Sequence, residues 1–488
     1  MKAPSAKGGL ILVFLGILLV SVVMLARTIL LEPAPSNTRR AAELKIDVGR
    51  VCDRLGRVIQ FQTVSSVDPD SLEVGRRSQL LNYLERTFVP LIEQLDYERH
   101  EHGIVFRWDG TDPELAPLLL LGHLDVVPVD PATRSEWIQE PFSGAIATGH
   151  VWGRGALDDK GSSMAMLEAL EGLLRNQFRP RRGVIVALGL DEEIGGVQGA
   201  ARMAAEFEEE GLRPFMILDE GMAILEGVID AVPGPVAGVG VAEKGFLTVE
   251  LLVEELGGHS SMPEKQTSLG ILAAAISALE KEPMSAGLDG AAGLFFDELA
   301  REMEFGPKFL FSNRWITEPI LWRILSRKPT TDALLRTTTA VTTAQAGVAD
   351  NVLPQVARAT ANFRIHPRDS VEEVLAHVAR VIDDQRVQIN VLGESFEPSE
   401  ISPTDGAAWA LLSQTIKECF DGVMVAPTLV LAATDSRHYA HLSPHVYRFN
   451  GLRLGPNDLP RIHGVNERIS TKNYVEMIRF YMQLVRNG

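Results

Sequence analysis

Leu118-Leu119-Leu120-Leu121-Gly122-His123-Leu124-Asp125 decides the architecture: a short, continuous apolar run that stops at ionisable residues. Two further stretches repeat the pattern. Gly183-Val184-Ile185-Val186-Ala187-Leu188 leads into Asp191-Glu192-Glu193, and Phe215-Met216-Ile217-Leu218 into Asp219-Glu220. Uninterrupted apolar runs of this length read as strands buried on both faces. Helical patterns lie between them, over Ser162 to Asn176 and Ala200 to Glu210. Strand alternating with helix predicts an α/β domain, a mostly parallel sheet with helices on both faces. Ligands of open α/β sheets bind outside the carboxyl ends of the strands. Those are the ends at which the acids and the histidine cluster.

Further along the chain the character changes near Gly238. Phe246 to Val253 and Ala357 to Ile365 alternate as half-buried strands, with a helix over Leu269 to Leu279 between them. A polar face on each strand predicts a smaller α+β domain inserted into the first, over 240–366. The first domain then comprises 41–239 and, resuming near Pro367, 367–488. Inside the insertion, 283–339 carries Phe295, Phe296, Phe305, Phe309, Phe311, Trp315 and Trp322. This segment reads as a helical subdomain with its own core, an apolar wall for a lipid-like substrate, or a surface resting on a membrane.

The start of the chain stands apart. Gly8 to Ala26 holds no charged residue, and at ~1.5 Å per helical residue it reaches about 28 Å, near the thickness of a bilayer's hydrocarbon core. Lys2 and Lys7 precede it, which favours a cytoplasmic N-terminus. Arg27 follows and Ile29-Leu30-Leu31 prolongs the apolar character, as in an uncleaved single-pass transmembrane anchor. The competing reading is a signal peptide, cleaved to give a secreted protein. Either way the body lies outside the cytoplasm. Residues 1–40 end in a linker with Pro33 and Pro35, and Leu44, Val48, Val51 and Leu55 then open an amphipathic helix.

Composition narrows the function. A net charge of −17 repels phosphate backbones and argues against nucleic acid. Two cysteines, Cys52 and Cys419, exclude a disulfide scaffold and a thiolate metal site. GRGALDDKG (153–161) lacks the Lys-Ser/Thr ending of a phosphate loop, so a nucleotide-dependent enzyme has no support.

The ionisable residues suggest metal chemistry. In His123-Leu124-Asp125 the histidine and aspartate point to one side of a strand, so the carboxylate can hold one ring nitrogen and leave the other for a cation. Asp158-Asp159 sits in a glycine-rich loop before a helix, Glu192-Glu193 and Asp219-Glu220 end buried strands, and His463 follows Arg461-Ile462 in a turn. Carboxylates in such places are costly unless neutralised. Histidine and carboxylate donors suit zinc, with cobalt or manganese as substitutes. Two histidines, a shared aspartate and two further carboxylates complete a pair of metals.

From about Ala41 to the end, the chain resembles the two-zinc metallopeptidases that include aminoacylase, carboxypeptidase S (Gly-X carboxypeptidase), acetylornithine deacetylase and succinyl-diaminopimelate desuccinylase. The resemblance rests on GHLDVVP, GRGALDDKG, DEEIGG, ILDEG, GGHSSMP and IHGVNERI, in that order. The stretch from Arg336 and the segment TDSRHY resemble the carboxypeptidase S branch, which includes secreted enzymes acting on N-fatty-acyl amino acids. The resemblance implies residue roles. His123 and His463 each bind one metal, Asp158 bridges both in preference to Asp159, Glu193 binds one and Asp219 the other. Glu192 is the general base and Asp125 orients His123. The inserted domain corresponds to the family's lid, where His259 stabilises the oxyanion, in many relatives across a homodimer interface. The large insertion departs from the simplest lids and puts that dimer in question. Asn351, Arg364 and Arg437 are candidates for substrate contact, arginine being suited to a carboxylate through two parallel hydrogen bonds. His438 and His441 form a helical-spacing metal pair as a minor alternative, and His100, His102, His150, His366 and His377 read as surface or packing residues.

The expected function is therefore a zinc hydrolase of amide bonds in small substrates with a free carboxylate, either a peptide or an N-acyl amino acid. The alternatives are a dipeptidase or deacetylase with a polar substrate, and a non-catalytic anchored binding protein on the same fold. The second requires a missing base or ligand, and every expected residue is present.

Overall fold

The computed structural model describes residues 6–33, 40–41, 45–66, 74–229 and 231–488. Leu44 and most of the expected linker lie outside them. The chain forms two compact units: Ser36–Ala242 with Ile401–Gly488, and Met1–Pro35 with Glu243–Glu400.

The first unit is built on a ten-stranded mixed sheet. Its centre is parallel, in the order Val184–Gly189, Leu118–His123, Met216–Asp219, Val446–Arg448. Antiparallel pairs flank this centre: Gly103–Trp108 with Asp96–His100 on one side, and Val236–Glu243 on the other. The expected parallel sheet thus holds for the centre, with antiparallel strands beside it and a further short parallel pair, Ile224–Leu225 with Arg453–Leu454, at one edge. Every residue of the strands Leu118–His123 and Val184–Gly189 is buried, as their unbroken apolar runs require. Period-two alternation divides them between two helical layers. Leu119 and Leu121 pack with Met203 and Phe207 of the helix Ala200–Glu209. Gly122 faces the opposite helix, Lys160–Arg175, where a Cβ would lie 2.7 Å from Asp159 Oδ2 and 2.8 Å from Ser163 Oγ. Glycine at that position lets the loop carrying the acids sit against the strand. The first helix after residue 45, Val48–Ile59, is capped by Asp47, whose side chain accepts the Arg50 N–H at 3.1 Å.

The second unit holds an antiparallel four-stranded sheet in the order Thr338–Ala346, Val356–Ile365, Gly245–Glu254, Val387–Val391. Gly245–Glu254 alternates buried and half-buried residues, matching its sequence pattern. Its apolar face (Leu247, Val249, Leu251, Val253) packs with Phe363, with Ile271 and Leu272 of the helix Ser268–Lys281, and with Val374 and Val378 of Val371–Ile382. The boundary near Pro367 therefore shifts. Strand Val387–Val391 pairs with Gly245–Glu254, and helix Val371–Ile382 covers the same sheet, so residues up to Glu400 belong to this unit.

The aromatic insertion forms four helices, Gly290–Glu302, Phe305–Ser312, Arg314–Leu325 and Pro329–Leu335. Phe295, Phe296, Leu299, Phe311 and Leu321 are buried, and the rings of Phe296 and Phe311 stack with centroids 4.9 Å apart. A local core is present. Phe305 and Trp315 stay more than half exposed.

Candidate metal centre and active site

Asp125 organises the ends of two strands. It is fully buried, and its carboxylate accepts the Ser65 hydroxyl at 2.7 Å and the backbone N–H groups of Glu192 and Glu193, each at 3.2 Å. Its Oδ1 lies 3.4 Å, and its carbonyl 3.1 Å, from Nδ1 of His123. Protonation of Nδ1 toward these oxygens leaves the Nε2 lone pair for a cation. One carboxylate thereby aims a histidine and positions two glutamates on a neighbouring turn.

His123 Nε2 points at Asp158 Oδ1, 3.0 Å away, and His463 Nε2 lies 3.0 Å from Asp158 Oδ2. Asp158 thus offers one oxygen to each histidine. Two donor groups form around it, each with ligand atoms within 4.8 Å of one another: His123, Asp158 and Glu220, and Asp158, Glu193 and His463. Glu192 stands beside the first, its Oε2 3.9 Å from His123 Nε2. Asp159 turns away, with Oδ2 toward the His123 N–H at 3.3 Å and Ser163 Oγ at 3.4 Å. Asp219 is in neither group. Its Oδ2 accepts the Ser436 N–H at 2.7 Å and its Oδ1 the Glu220 N–H at 2.9 Å.

Electrostatics mark this as a site short of positive charge. Burial, reinforced by Asp435, Asp158 and Glu193, pushes the Glu192 carboxyl well above the usual range. Burial, with Asp158, Asp159 and Asp219 adding, does the same to Glu220. Asp435 is likewise raised by burial and by Asp219, and both its oxygens lack a hydrogen-bond partner among the described residues. The acids draw protons onto the imidazoles. Hydrogen bonds to Asp158 and Glu193 raise His463 to about 10, and those of His123 to Asp125 and Asp158 overcome its burial to hold its pKa high. Two divalent cations answer the same demand, and the oxygen and nitrogen donors fit them.

Glu467, unassigned in the sequence reading, supports the loop. It is fully buried, pairs with Arg154 at 2.6 Å, and accepts the N–H groups of Gly155 and Leu157 at 2.9 Å and of Asp158 at 3.3 Å. Arg154 also donates to the His463 carbonyl at 3.0 Å. His463 has φ of 58°, a left-handed conformation costing ~1–2 kcal/mol outside glycine, and Arg154 braces it. Only the place of Glu467 four residues after His463 hinted at this role. Glu220 had a clearer signal: it stands next to Asp219 as Glu193 does to Glu192.

The remaining expected residues divide. Arg437 donates to the Gly195 carbonyl at 2.5 Å, and His438 Nε2 lies 2.9 Å from the same oxygen. His441 Nε2 is 3.4 Å from Glu208, so the two histidines do not converge on one cation. His259, Asn351 and Arg364 lie in the other unit. His259 is exposed, and its Nδ1 accepts from the Ser261 N–H at 3.1 Å, with Ser261 Oγ at 2.8 Å. That contact places the ring proton on Nε2. Asn351 is exposed and its carbonyl accepts the Ser260 N–H at 3.2 Å. The Arg364 guanidinium lies 4.8 Å over the Phe246 ring, its pKa lowered by burial, and among the described residues it forms no ion pair.

A buried α/β sheet whose strand ends present a shared aspartate between two histidines defines a dinuclear metal-binding hydrolase. A profile of peptidase family M20/M25/M40 matches residues 119–487, and the chain belongs to that family. It is a hydrolase acting on amide bonds. It is 42% identical over 442 residues to the probable carboxypeptidase S-like 2 of Dictyostelium discoideum, covering 90% of this chain and 85% of that one. It is 39% identical to the N-fatty-acyl-amino acid synthase/hydrolase PM20D1 of Xenopus tropicalis, over 97% of this chain and 93% of that one. Among solved structures, the M20 family metallo-carboxypeptidase Sso-CP2 from Sulfolobus solfataricus shares the fold with a TM-score of 0.64 at 21% identity, over 89% of this chain and 98% of that one. The Bacillus subtilis YXEP protein, a dinuclear metal-binding peptidase, has a TM-score of 0.55 at 13% identity, over 90% of this chain and 97% of that one.

Proposed function

We propose that the protein is a two-zinc hydrolase of N-acyl amino acids, carried on the extracytoplasmic side of a membrane by its first helix. The observation that carries the metal assignment is the Asp158 carboxylate, with one oxygen 3.0 Å from each of two histidines. His123, Asp158 and Glu220 would hold one zinc, and Asp158, Glu193 and His463 the other. Glu220 stands here in place of the expected Asp219 because its carboxylate groups with His123 and Asp158, while Asp219 accepts two backbone N–H groups. Zinc bound there supplies Lewis-acid charge that brings the pKa of water toward ~7.

The chain's own residues do the rest. Glu192, buried and proton-hungry, takes the proton of the attacking water and passes it to the leaving nitrogen. The amide C–N bond breaks, the hydroxyl joins the acyl carbon, and a carboxylic acid and an amine depart. His259, with its proton on Nε2, has the form needed to donate to the oxyanion. Arg364, without an ion pair among the described residues, suits the substrate carboxylate better than Arg437, which already serves Gly195. The relatives acting on N-fatty-acyl amino acids favour an apolar acyl group. For the anchor, Leu12–Leu30 has the length and composition to cross a membrane, with mean hydropathy 2.5, and is almost wholly exposed.

Zinc-loaded full-length protein in detergent, offered a panel of N-fatty-acyl amino acids and dipeptides, should release amino acid fastest from the acylated substrates. Inactivity on all of them with both metals bound would overturn the reading. Glu220→Gln should weaken zinc binding ~10–100-fold, with a smaller effect from Asp219→Asn. Sedimentation of the same preparation tests the homodimer that the lid implies.

A further inference from the structure

The helical insertion has a buried side, but one face of it is unusual. In the helix Arg314–Leu325, Thr317, Leu321 and Leu325 recur at four-residue spacing and are buried. Ile316, Ile320 and Ile324 run as a stripe adjoining the buried one and Trp315 flanks its other edge, each about half exposed, and Phe305 of the preceding helix is 59% exposed. Arg323, Arg327 and Lys328, also exposed, gather at the far end. An apolar helical face ending in cations is the composition of an element lying in a bilayer interface.

A second observation says what covers that face. Helix Phe305–Ser312 runs alongside the apolar N-terminal helix Ala6–Leu30, within the same compact unit. Lys308 Nζ donates to the Leu31 carbonyl at 2.7 Å, at the end of the apolar helix. One turn past the other end of the contact, Asn313 Nδ2 donates to the Met24 carbonyl at 3.1 Å and lies 3.2 Å from Thr28 Oγ1. Ser312 joins them, its hydroxyl 3.0 Å from Thr28 Oγ1 and its carbonyl accepting from Arg27 at 3.2 Å. Asn313 and Thr28 are fully buried in this seam. From Leu31 to Met24 an α-helix descends ~10 Å. If Ala6–Leu30 spans a bilayer, the junction between Ser312 and Arg314 reaches about that depth below its extracytoplasmic end. The Trp315, Ile316, Ile320 and Ile324 surface, starting there, is continuous with the almost wholly exposed Leu12–Leu30 stretch of the N-terminal helix.

We propose that residues 305–325 are a membrane-embedded element, docked beside the N-terminal helix, with the Trp315–Ile324 face lying in the lipid of the extracytoplasmic leaflet and Arg323, Arg327 and Lys328 at its headgroups. This rests on the reading of Ala6–Leu30 as an anchor. It makes the insertion a second point of attachment, which orients the unit against the surface where a lone helix would let it swing. The seam pairs the Thr28 and Ser312 hydroxyls and the Asn313 amide nitrogen at that depth, while the Asn313 side-chain oxygen has no partner among the described residues.

Spin labels test both readings in the full chain, reconstituted in phosphatidylcholine and phosphatidylglycerol vesicles. They are placed singly at Ile320→Cys, Leu19→Cys and, as an exposed reference, Glu372→Cys. The two native cysteines, buried Cys52 and half-buried Cys419, are first replaced by alanine so that only the introduced thiol takes the label. The ratio of collision with oxygen to collision with a water-soluble nickel chelate should be about tenfold higher at Ile320 and Leu19 than at Glu372. A lipid signal at Leu19 with a water signal at Ile320 would overturn the proposal and leave the anchor standing. Water at Leu19 would overturn both. Shielding of Ile320 from both reagents would mean that protein, such as a second copy, covers the face, and would also overturn it.

Discussion

Two clusters of buried carboxylates lie within the same unit and differ in what neutralises them. Glu168 and Glu171, on the helix Lys160–Arg175, are fully buried, and Arg50 and Arg54 from the helix Val48–Ile59 lie 2.6–3.2 Å from them. Arg175 adds a third guanidinium 3.1 Å from Glu171, and the Glu171 carboxyl stays below its ordinary value because its hydrogen bonds to Arg54 and Arg50 outweigh its burial, whereas burial still lifts Glu168 above its own. At the strand ends, Asp158, Glu192, Glu193 and Glu220 meet two imidazoles, and burial with mutual repulsion drives Glu192 and Glu220 the other way. The first cluster is complete as protein. The second is completed only by cations. Buried carboxylates alone do not mark a site, and the missing countercharge does.

Removing the shared ligand should break this contrast most. Asp158→Asn takes one donor from both groups, so turnover should fall by more than ~10⁴-fold and metal per chain should drop, as read by elemental analysis beside a rate assay. Glu192→Gln should reduce kcat ~10²–10⁴-fold with metal content unchanged, which separates the base from the ligands. A variant that lost metal instead would make Glu192 a ligand.

The arginine cluster should fail differently. Arg54→Ala leaves a buried carboxylate without its full countercharge and should cost about 3 kcal/mol in denaturant unfolding, while kcat of the folded protein stays as it was. A pH-dependent effect concerns Lys244, a buried lysine of the other unit that donates to the Arg336 carbonyl at 2.8 Å. Burial lowers its pKa to about 7. The unfolded chain, with a lysine pKa of about 10.4, then binds the proton that the folded chain has lost. Its contribution to stability therefore rises with pH between those values, by at most ~1.4 kcal/mol per pH unit. Lys244→Met should be the more stable form at neutral pH. Its advantage over the parent should shrink as pH climbs from about 7 toward about 10, and a constant difference in unfolding free energy would show that Lys244 keeps its charge.

Much of the fold was legible because burial writes itself into periodicity. The runs at Leu118 and Val184 are fully buried strands, and the alternation of Phe246 to Val253 is a half-buried one. The exit from the second unit was not legible, since strand Val387–Val391 takes its membership from a partner more than a hundred residues earlier. The same holds in the site. His123, Asp158, Glu193 and His463 are brought together as the ordered motifs implied, while Arg437 is engaged by Gly195 and Glu467 was passed over. A hydrogen-bonding role inside a loop leaves no mark on local sequence.

What the sequence by itself determined is the donor set and its address: histidines and acids, without thiolates, at the ends of apolar runs. Residue chemistry and period-two burial are local properties, so they survive without coordinates. Only the tertiary structure decided which of two adjacent acids, Asp219 or Glu220, faces His123 and Asp158. Neighbours on a turn differ by a backbone rotation, and Asp219 accepts the N–H of Ser436, 217 positions away in the chain, while Glu220 groups with His123 and Asp158.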